Sequence, residues 1–149
     1  MARGVTQKEL ERVWEEHTRK EFVEKDLEAT LATMSEDASV NIVPLNVGGR
    51  GKEEVRNFYR DVLIASVPDD IQATPVSRTV GAGRLVDELR FTFTHNKRMD
   101  WILPNVPPTF KKISLDHVVV VDFRGDKISA ERVYWDQATV LRQAGLLKK

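Results

Sequence analysis

The amino-acid sequence predicts an α+β fold, in which three N-terminal helices pack against a curved, mainly antiparallel sheet. Two observations support this class. Apolar residues recur with helical spacing before Pro68, and from Ile71 onward they follow the alternation of β-strands. Because the helices precede the strands, they are segregated from the sheet. The 149 residues contain no linker, repeat or low-complexity tract, so one domain spanning residues 1–149 is predicted.

The three helices are predicted from capping residues and apolar stripes. Thr6 and Glu9 have the spacing of a capping box, so the first helix begins after Thr6. Asp26 can cap a second, shorter helix. A third helix is predicted before Pro68. The apolar stripe of the first helix consists of Leu10, Val13, Trp14, His17 and Phe22, and that of the third consists of Val55, Phe58, Tyr59, Val62 and Leu63.

Strands are predicted where β-branched and aromatic residues are frequent. A short strand at residues 39–44 precedes a glycine-rich turn at 46–51, which lacks the Lys-Ser/Thr ending of a phosphate-binding loop. The unbroken apolar run at 118–121 indicates a central strand covered on both faces, and residues 124–127 are predicted to form a hairpin turn. The remaining strands are predicted at 71–80, 85–95, 99–103, 111–123 and 127–134.

The composition predicts a cytoplasmic protein that acts on a small molecule. Lys and Arg number 23 and Asp and Glu number 23, so there is no electrostatic basis for a nucleic-acid or membrane partner. The absence of cysteine excludes disulfides, thiolate metal ligands and a cysteine nucleophile. No uncharged stretch approaches the roughly 20 apolar residues of a membrane span. The first ten residues lack the apolar segment of a secretory signal.

Several short segments resemble the polyketide-cyclase-like, or SnoaL-like, family of the nuclear transport factor 2-like and ketosteroid-isomerase-like superfamily. In the N-terminal half the matching residues are His17, Glu21-Phe22, Asp26 and the segment from Ala29 to Met34. The matching segments of the C-terminal half, in order, are Phe91-Thr-Phe-Thr-His95, Val106-Pro-Pro-Thr109, Gly125-Asp-Lys-Ile128, Tyr134-Trp-Asp136 and Arg142-Gln-Ala-Gly-Leu146.

The resemblance implies a cone-shaped barrel, a pocket inside it, and a homodimer formed through the open face of the sheet. It also implies that Asp136 faces the pocket as the general acid or base. Strand alternation would then place Arg132 and Tyr134 beside Asp136 as substrate-binding residues, with Glu131 on the opposite face. The alternative is that Asp136 caps a C-terminal helix beginning at Gln137.

The sequence departs from the family pattern at four positions. Histidines are expected in the early strand, where this chain has Ile42, and on either side of Glu131, where it has Ala130 and Arg132. Phe110 stands where a glycine would follow the Pro-Pro-Thr segment. The missing imidazoles favour a domain that binds a ligand or a partner without catalysis.

Arg98 and Asp100 form a second constellation, predicted on one face of a strand. Together with Asp136 they resemble the Asp-Arg-Asp site of limonene-type epoxide hydrolases, in which one Asp activates water and the other protonates the epoxide. An arginine can hold two carboxylates whose environments separate their pKa values. The alternative is an exposed ion pair that contributes less than about 1 kcal/mol.

The remaining candidates are imidazoles and aromatic rings. His17 and His95 are candidate catalytic partners, although a lone His in an apolar stripe is commonly a hydrogen-bonded core residue. Widely separated histidines without a ligand motif predict no metal site. Trp14, Tyr59 and Trp101 are candidate walls of a pocket for a hydrophobic or aromatic substrate.

Three functions follow from these patterns. The first is a cofactor-free isomerase or cyclase of secondary metabolism, acting on polyketide-like or terpenoid molecules by general acid/base catalysis. The second is an epoxide hydrolase that uses Arg98, Asp100 and Asp136. The third is a ligand-binding or dimerisation domain without catalytic activity.

Overall fold

The computed structural model describes residues 4–147, in which helices pack against one face of a single six-stranded sheet. Within this range no helix has the length and apolar character needed to span a membrane. Two helices continue into π-helical turns, at Arg19–Val23 and Tyr59–Leu63, and the second of these runs on into a 3-10 turn at Ile64–Ser66. The α-helices are α1 (Gln7–Thr18), α2 (Leu27–Ala32), α3 (Lys52–Phe58) and α4 (Gln137–Gln143).

The sheet is mainly antiparallel, which confirms the predicted α+β class. Its strand order is β2-β1-β6-β5-β4-β3, and only the β1–β6 pair is parallel. Helices and strands therefore form two layers, and the core lies between the helices and one face of the sheet. The strands are β1 (Met34–Ile42), β2 (Val47–Arg50), β3 (Gln72–Gly81), β4 (Arg84–Thr94), β5 (Lys112–Arg124) and β6 (Lys127–Trp135).

The two predicted helix starts are confirmed. Thr6 Oγ1 accepts a hydrogen bond from the Glu9 amide at 3.2 Å, and the Thr6 amide donates to Glu9 Oε2 at 3.0 Å. The Asp26 carboxylate accepts from the Ala29 amide at 3.1 Å. Both caps satisfy amide groups that have no partner inside the first turn of a helix.

The glycine-rich segment forms a strand instead of the predicted turn. Val47–Arg50 pairs with β1, and the turn that joins the two strands lies before Val47. A Cβ atom at Gly48 would lie 1.9 Å from the Val40 carbonyl oxygen, and one at Gly49 would lie 2.7 Å from the Glu54 backbone. The glycines are therefore required by close backbone approach on both sides of β2.

One further strand prediction is wrong, and another is confirmed only in part. Residues 99–103 form turns, in which the Leu103 amide donates to the Met99 carbonyl at 2.7 Å. The apolar side chains of this segment close the core, so burial and not strand pairing explains its composition. In β5, Val119 and Val121 are buried, whereas Val118 and Val120 are only half-buried on the outer face. The apolar run is thus central within the sheet without being equally covered on both faces.

Phe110 occupies a backbone conformation that favours glycine. Its φ angle is +58°, its amide donates to the His95 carbonyl at 2.9 Å, and its side chain is 71% exposed. An L-residue in the left-handed region is strained by about 1 kcal/mol or more. Glycine is the residue that adopts this conformation without such strain.

We expect Phe110→Gly to be more stable than Phe110→Ala by about 1 kcal/mol, because the two variants lose the same exposed ring and differ in backbone strain. Urea denaturation of both variants measures this difference in the free energy of unfolding. An alanine variant that is as stable as the glycine variant would contradict the account of Phe110.

Candidate active site

A cavity of about 370 Å³ lies between the helices and the inner face of the sheet. Its volume falls within the range of sites that bind small molecules. Phe22 packs against Phe91 and Trp101, with ring centroids 5.2 and 6.5 Å apart. The aromatic residues of the wall are Trp14, Phe22, Tyr59, Phe91, Trp101 and Trp135.

Strand register determines which side chains enter this cavity. On β6, Glu131, Val133 and Trp135 line it, since alternate residues of a strand share a face. Glu131 lies opposite Val121 of β5 and Val40 of β1. The cavity therefore has a carboxylate at one end of an otherwise largely apolar sheet face.

Four polar side chains meet at this end of the cavity. His17 Nε2 lies 2.9 Å from Glu21 Oε2 and 3.4 Å from Glu131 Oε1. The Tyr59 hydroxyl donates to Glu131 Oε2 at 2.6 Å and lies 3.4 Å from His17 Nε2. Glu21, Glu131 and Tyr59 line the cavity, and the fully buried His17 lies behind them. We call these four residues the acid–imidazole cluster.

Thr33 fixes the protonation of one nitrogen of His17. The Thr33 hydroxyl donates its only hydrogen to the Thr30 carbonyl at 2.7 Å. Its oxygen must therefore accept from His17 Nδ1, which lies 2.8 Å away, so Nδ1 carries a hydrogen. Nε2 faces the two carboxylates. When Nε2 also carries a hydrogen, the ring is an imidazolium, which donates that hydrogen to them.

Burial and ion pairing shift the pKa values of His17, Glu21 and Glu131. Burial disfavours the charged form of His17, but Glu131 and Glu21 outweigh it and raise the pKa of the imidazole to about 10. Burial raises the pKa of Glu21 above its usual range. Burial acts in the same direction on Glu131, yet the charge of His17 and the bonds from His17 and Tyr59 lower the pKa of that carboxyl. Glu21 is thus the carboxylate whose proton affinity is moved toward neutral pH.

Local helix geometry brings the cluster together. His17 and Glu21 are four residues apart, which places them on one face of a helix. Glu21 lies within the π-helical turn that follows α1, and Tyr59 begins the one that follows α3. Such turns carry one extra residue and are frequent at functional sites.

A second polar network lines the cavity along β4. The Trp14 indole donates to Asp87 Oδ2 at 2.8 Å, and the Arg78 guanidinium binds the same carboxylate through two bonds of 2.6 and 2.9 Å. Arg78 also contacts Glu15 at 2.9 Å. Asp87 is 2% exposed, so its charge is neutralised within the protein and does not face the ligand space unpaired.

His117 is a third polar group of the wall and lies on β5. It is 4% exposed, and its Nδ1 lies 3.4 Å from the Leu115 carbonyl. Burial lowers the pKa of this imidazole, in the direction opposite to His17. The cavity therefore holds one charged imidazole behind its wall and one neutral imidazole in its wall.

The structure assembles part of the predicted site. Trp14, Tyr59 and Trp101 line the cavity, and His17 belongs to the acid–imidazole cluster. His95 is buried elsewhere, where its Nδ1 accepts from the Thr109 amide at 3.1 Å. Its Nε2 has no hydrogen-bond partner within residues 4–147.

Asp136 does not line the cavity, so the expected orientation is wrong. It is exposed and caps α4, accepting from the Ala138 amide at 3.0 Å and from the Thr139 hydroxyl at 2.7 Å. The bond from Thr139 lowers the pKa of this carboxyl, which makes it a weaker proton acceptor. Arg132 and Tyr134 point to the outer face of the sheet, where Arg132 pairs with Asp122 at 2.8 Å and Tyr134 is 42% exposed. The predicted alternation of β6 was therefore displaced by one residue.

The Asp-Arg-Asp site is not assembled. Arg98 binds Asp100 at 3.0 Å and the Asn105 side chain at 2.7 Å, and its side chain is 58% exposed. Asp100 also accepts from the Asn105 amide at 2.9 Å, which stabilises a loop. Within the described part of the chain, Arg98 makes no hydrogen bond to Asp136, so the epoxide-hydrolase arrangement is wrong.

The sequence contains a signal for the residues that were missed. Asp87 and His117 are polar residues at inward positions, Asp87 between Leu85 and the half-buried Leu89, and His117 between the buried Leu115 and Val119. A single polar residue within an apolar strand face marks either a buried network or a site. Glu21, four residues after His17, could have been found by helical spacing.

The acid–imidazole cluster is also the one place in residues 4–147 where three potential metal ligands converge. One ligand atom from each of His17, Glu21 and Glu131 can lie within 4.8 Å of the others. A divalent cation bound there would need a neutral His17 Nε2, so a cation and the Nε2 proton exclude each other.

Comparison with known proteins identifies the family to which this chain is similar. The model of the family described as SnoaL-like domains matches residues 14–131, which include the whole acid–imidazole cluster. No protein with a curated functional description matches the sequence significantly.

Three solved structures show the same fold at low sequence identity. A candidate SnoaL-like polyketide cyclase from Jannaschia sp. CCS1 has a TM-score of 0.75 at 14% identity, over 99% of both chains. TsrD from Streptomyces laurentii has a TM-score of 0.75 at 18% identity, over 96% of this chain and 99% of its own. A candidate polyketide cyclase from Acidithiobacillus ferrooxidans has a TM-score of 0.72 at 18% identity, over 92% and 94%.

The charged form of His17 makes stability depend on pH with a definite sign. Folding raises the pKa of His17 from 6.5 to about 10, so its contribution is fully present below pH 6.5 and is lost as the pH rises toward 10. The slope is at most about 1.4 kcal/mol per pH unit. Urea denaturation between about pH 6 and pH 9 should show this loss in the wild type and in Glu16→Gln, and a smaller loss in His17→Gln, in which only the buried carboxylates of the cluster still titrate. Equal slopes in all three proteins would contradict the imidazolium assignment.

Proposed function

Because the chain belongs to the family of SnoaL-like domains, we propose that it is a small-molecule isomerase or cyclase whose chemistry takes place at the acid–imidazole cluster. The observation that carries the proposal is the position of Glu21. This carboxylate lines an apolar cavity, has a raised pKa, and is held by a charged imidazole 2.9 Å away. A carboxylate with a raised pKa in the wall of an apolar cavity is suited to proton transfer from carbon.

In the proposed reaction, ionised Glu21 accepts a proton from the carbon next to a substrate carbonyl, and the carbonyl oxygen takes the negative charge. Returning the proton to another carbon gives an isomer. Attack of the enolate carbon on a second carbonyl of the same molecule, followed by protonation of the new alkoxide, closes a ring. A positioned base supplies roughly 10²–10⁴-fold of rate enhancement.

The other members of the cluster position Glu21 and stabilise the negative charge that develops on the substrate. The permanent charge of His17, fully buried behind the wall, favours negative charge in the cavity. Glu131 remains ionised and keeps His17 protonated, and Tyr59 holds Glu131 through a 2.6 Å bond. His17 and Glu131 are therefore positioning residues, whereas Glu21 is the proposed catalytic residue.

The cavity walls favour a flat, apolar substrate. Aromatic rings line the space, while Asp87 and Arg78 already neutralise each other. A substrate of polyketide, terpenoid or simple aromatic type would match these walls, and secondary metabolism would supply such molecules. No cofactor is needed for the proposed proton transfer.

Proton exchange at carbon tests this function without knowledge of the natural substrate. In D₂O, 2-tetralone exchanges the protons next to its carbonyl, and the wild type should accelerate this exchange. We expect Glu21→Gln to lower the enzyme-dependent rate by roughly 10²–10⁴-fold, because glutamine cannot accept the proton. Glu16→Gln, an exposed position on the same helix, should leave the rate unchanged. Proton NMR measures the loss of the exchanging signals.

The variant Asp136→Asn tests whether the proton exchange takes place in the cavity or at the residue that caps α4. Asparagine preserves a cap, so the exchange rate should equal that of the wild type. Loss of exchange in Asp136→Asn with retention in Glu21→Gln would return the chemistry to Asp136. Acceleration by neither the wild type nor any variant, across enones and bicyclic ketones, would favour a domain that binds its ligand without turnover.

We also propose a homodimer formed through the outer face of the sheet. Half-buried Val118 and Val120 lie there beside the exposed Tyr134. The cross-strand pair Arg90–Asp116, at 2.6 Å, places charges of both signs on the same face. Such a face can be self-complementary about a two-fold axis.

Light scattering after size-exclusion chromatography should give the mass of a dimer for the wild type. Val118→Asp should give a monomer, because it places an unpaired charge in the centre of the interface. Val23→Asp introduces the same charge at an exposed valine of the cavity mouth and should leave the dimer intact. A wild-type monomer would refute this assembly.

A further inference from the structure

We propose that His117 is the residue that determines substrate specificity at the far end of the cavity, where its Nε2 accepts a hydrogen bond from a hydroxyl group of an elongated, flat substrate. This inference rests on the proposed function, since it treats the cavity as the substrate site. It adds a substrate class, namely carbonyl compounds that carry a hydroxyl group at the end opposite the reacting carbonyl.

The hydrogen-bonding state of His117 follows from its partner. Its Nδ1 lies 3.4 Å from the Leu115 carbonyl, and a carbonyl oxygen can only accept, so Nδ1 carries the hydrogen. In a neutral ring Nε2 then presents a lone pair. No group of residues 4–147 forms a hydrogen bond with Nε2, although the ring is 4% exposed and lines the cavity. His95 Nε2 is the fully buried side-chain nitrogen or oxygen without a partner in this range, so His117 Nε2 keeps access to the cavity. An accessible acceptor of a cavity wall without a protein partner is one that a ligand donor can satisfy.

Burial keeps His117 in the accepting form. Desolvation lowers the pKa of the imidazole, and the neighbouring carboxylates Asp116 and Asp87 only partly oppose this effect. Asp116 is engaged by Arg90 and Asp87 by Arg78 and Trp14, so neither carboxylate binds the imidazole. At neutral pH the ring can therefore take a hydroxyl donor from a ligand.

Packing also fixes the orientation of the ring. The His117 ring lies against Phe91, with centroids 4.3 Å apart and an angle of 35° between the planes. On the sheet, His117 pairs with Leu89 of β4 and with Trp135 of β6, both of which line the cavity. An imidazole enclosed in this way presents its acceptor in one direction, which is a requirement for selective recognition.

The two ends of the cavity are well separated. Glu131 pairs with Val121, and His117 lies four residues from Val121 on the same face of β5. At about 3.4 Å per residue, the two rows are roughly 14 Å apart along the strand. Allowing about 2.8 Å for the hydrogen bond to His117, and a similar distance for the contact of the reacting group with Glu21, leaves roughly 8 Å for the length of the ligand. Two fused six-membered rings with oxygens at opposite ends have this length.

Val119 and Val133 lie between the two ends and contact the body of such a ligand. Both residues line the cavity, and they pair with each other across β5 and β6. The apolar span explains why the ligand should be flat and unsubstituted at its centre. Polarity is needed only at the acid–imidazole cluster and at His117.

A matched pair of ligands tests the role of His117. We expect the wild type to bind 6-hydroxy-2-tetralone about 2- to 10-fold more tightly than 2-tetralone, which corresponds to one net hydrogen bond. An apolar far end would instead bind the hydroxylated compound more weakly. In His117→Phe the preference for the hydroxylated compound should disappear. Isothermal titration calorimetry measures the four dissociation constants.

A second variant protects the test against a loss of folding. His117→Gln retains an acceptor of similar reach and should retain part of the preference for the hydroxylated ligand. Circular dichroism spectra and melting temperatures establish that all three proteins are folded. A preference that persists unchanged in His117→Phe, or the absence of binding by both ligands at millimolar concentration, would overturn the assignment.

The two proposals can fail separately. Undiminished proton exchange in Glu21→Gln would refute the proposed chemistry, but a preference removed by His117→Phe would still support the recognition role. Conversely, exchange that depends on Glu21, together with a preference that does not depend on His117, would refute only the recognition role. Binding and exchange are therefore measured on the same two compounds.

Discussion

The rest of the structure depends on one buried ionic interaction, that of the His17 imidazolium with Glu21 and Glu131. The three side chains are at most 6% exposed, so each charge would be strongly unfavourable alone. With Thr33 behind the ring and Tyr59 on Glu131, the interaction connects α1, the residue that ends α2, the π turn after α3, and strand β6. These connections hold the helical layer over the sheet, and the cavity between the two layers is the space that remains.

The charge distribution of the cavity follows from this arrangement. A positive charge sits behind one end, two carboxylates face inward, and the carboxylate with the raised pKa is the one nearer the imidazole. At the other end, burial leaves His117 neutral. Histidine is thus charged at position 17 and neutral at position 117, because the two rings have different neighbours. The chain supplies these two imidazoles from α1, behind the cavity wall, and from β5, within the wall.

Local signals in the sequence predicted more of the fold than of the site. Caps at Thr6 and Asp26 are decided by neighbouring residues, and both were predictable. The cap at Asp136 was one of two alternatives, and the family resemblance favoured the other, because the sequence did not show where the β6 alternation begins and a strand displaced by one residue exchanges its two faces. The same displacement hid Glu131, which was predicted to face outward. Burial of Glu21 and pairing of Asp87 with Arg78 depend on contacts between distant segments, which no spacing rule contains.

The two π-helical turns have a consequence for comparing this chain with its relatives. Each turn holds one residue more than the α-helical turn it replaces, and a change of one residue rotates the following helical positions by about 100°. A relative that lacks the extra residue at 19–23 or 59–63 needs a gap there to keep its structure in register. Without that gap, an alignment would move the acid of the relative out of the column of Glu21. Relatives would then be classed as lacking the carboxylate when they have only a shorter helix.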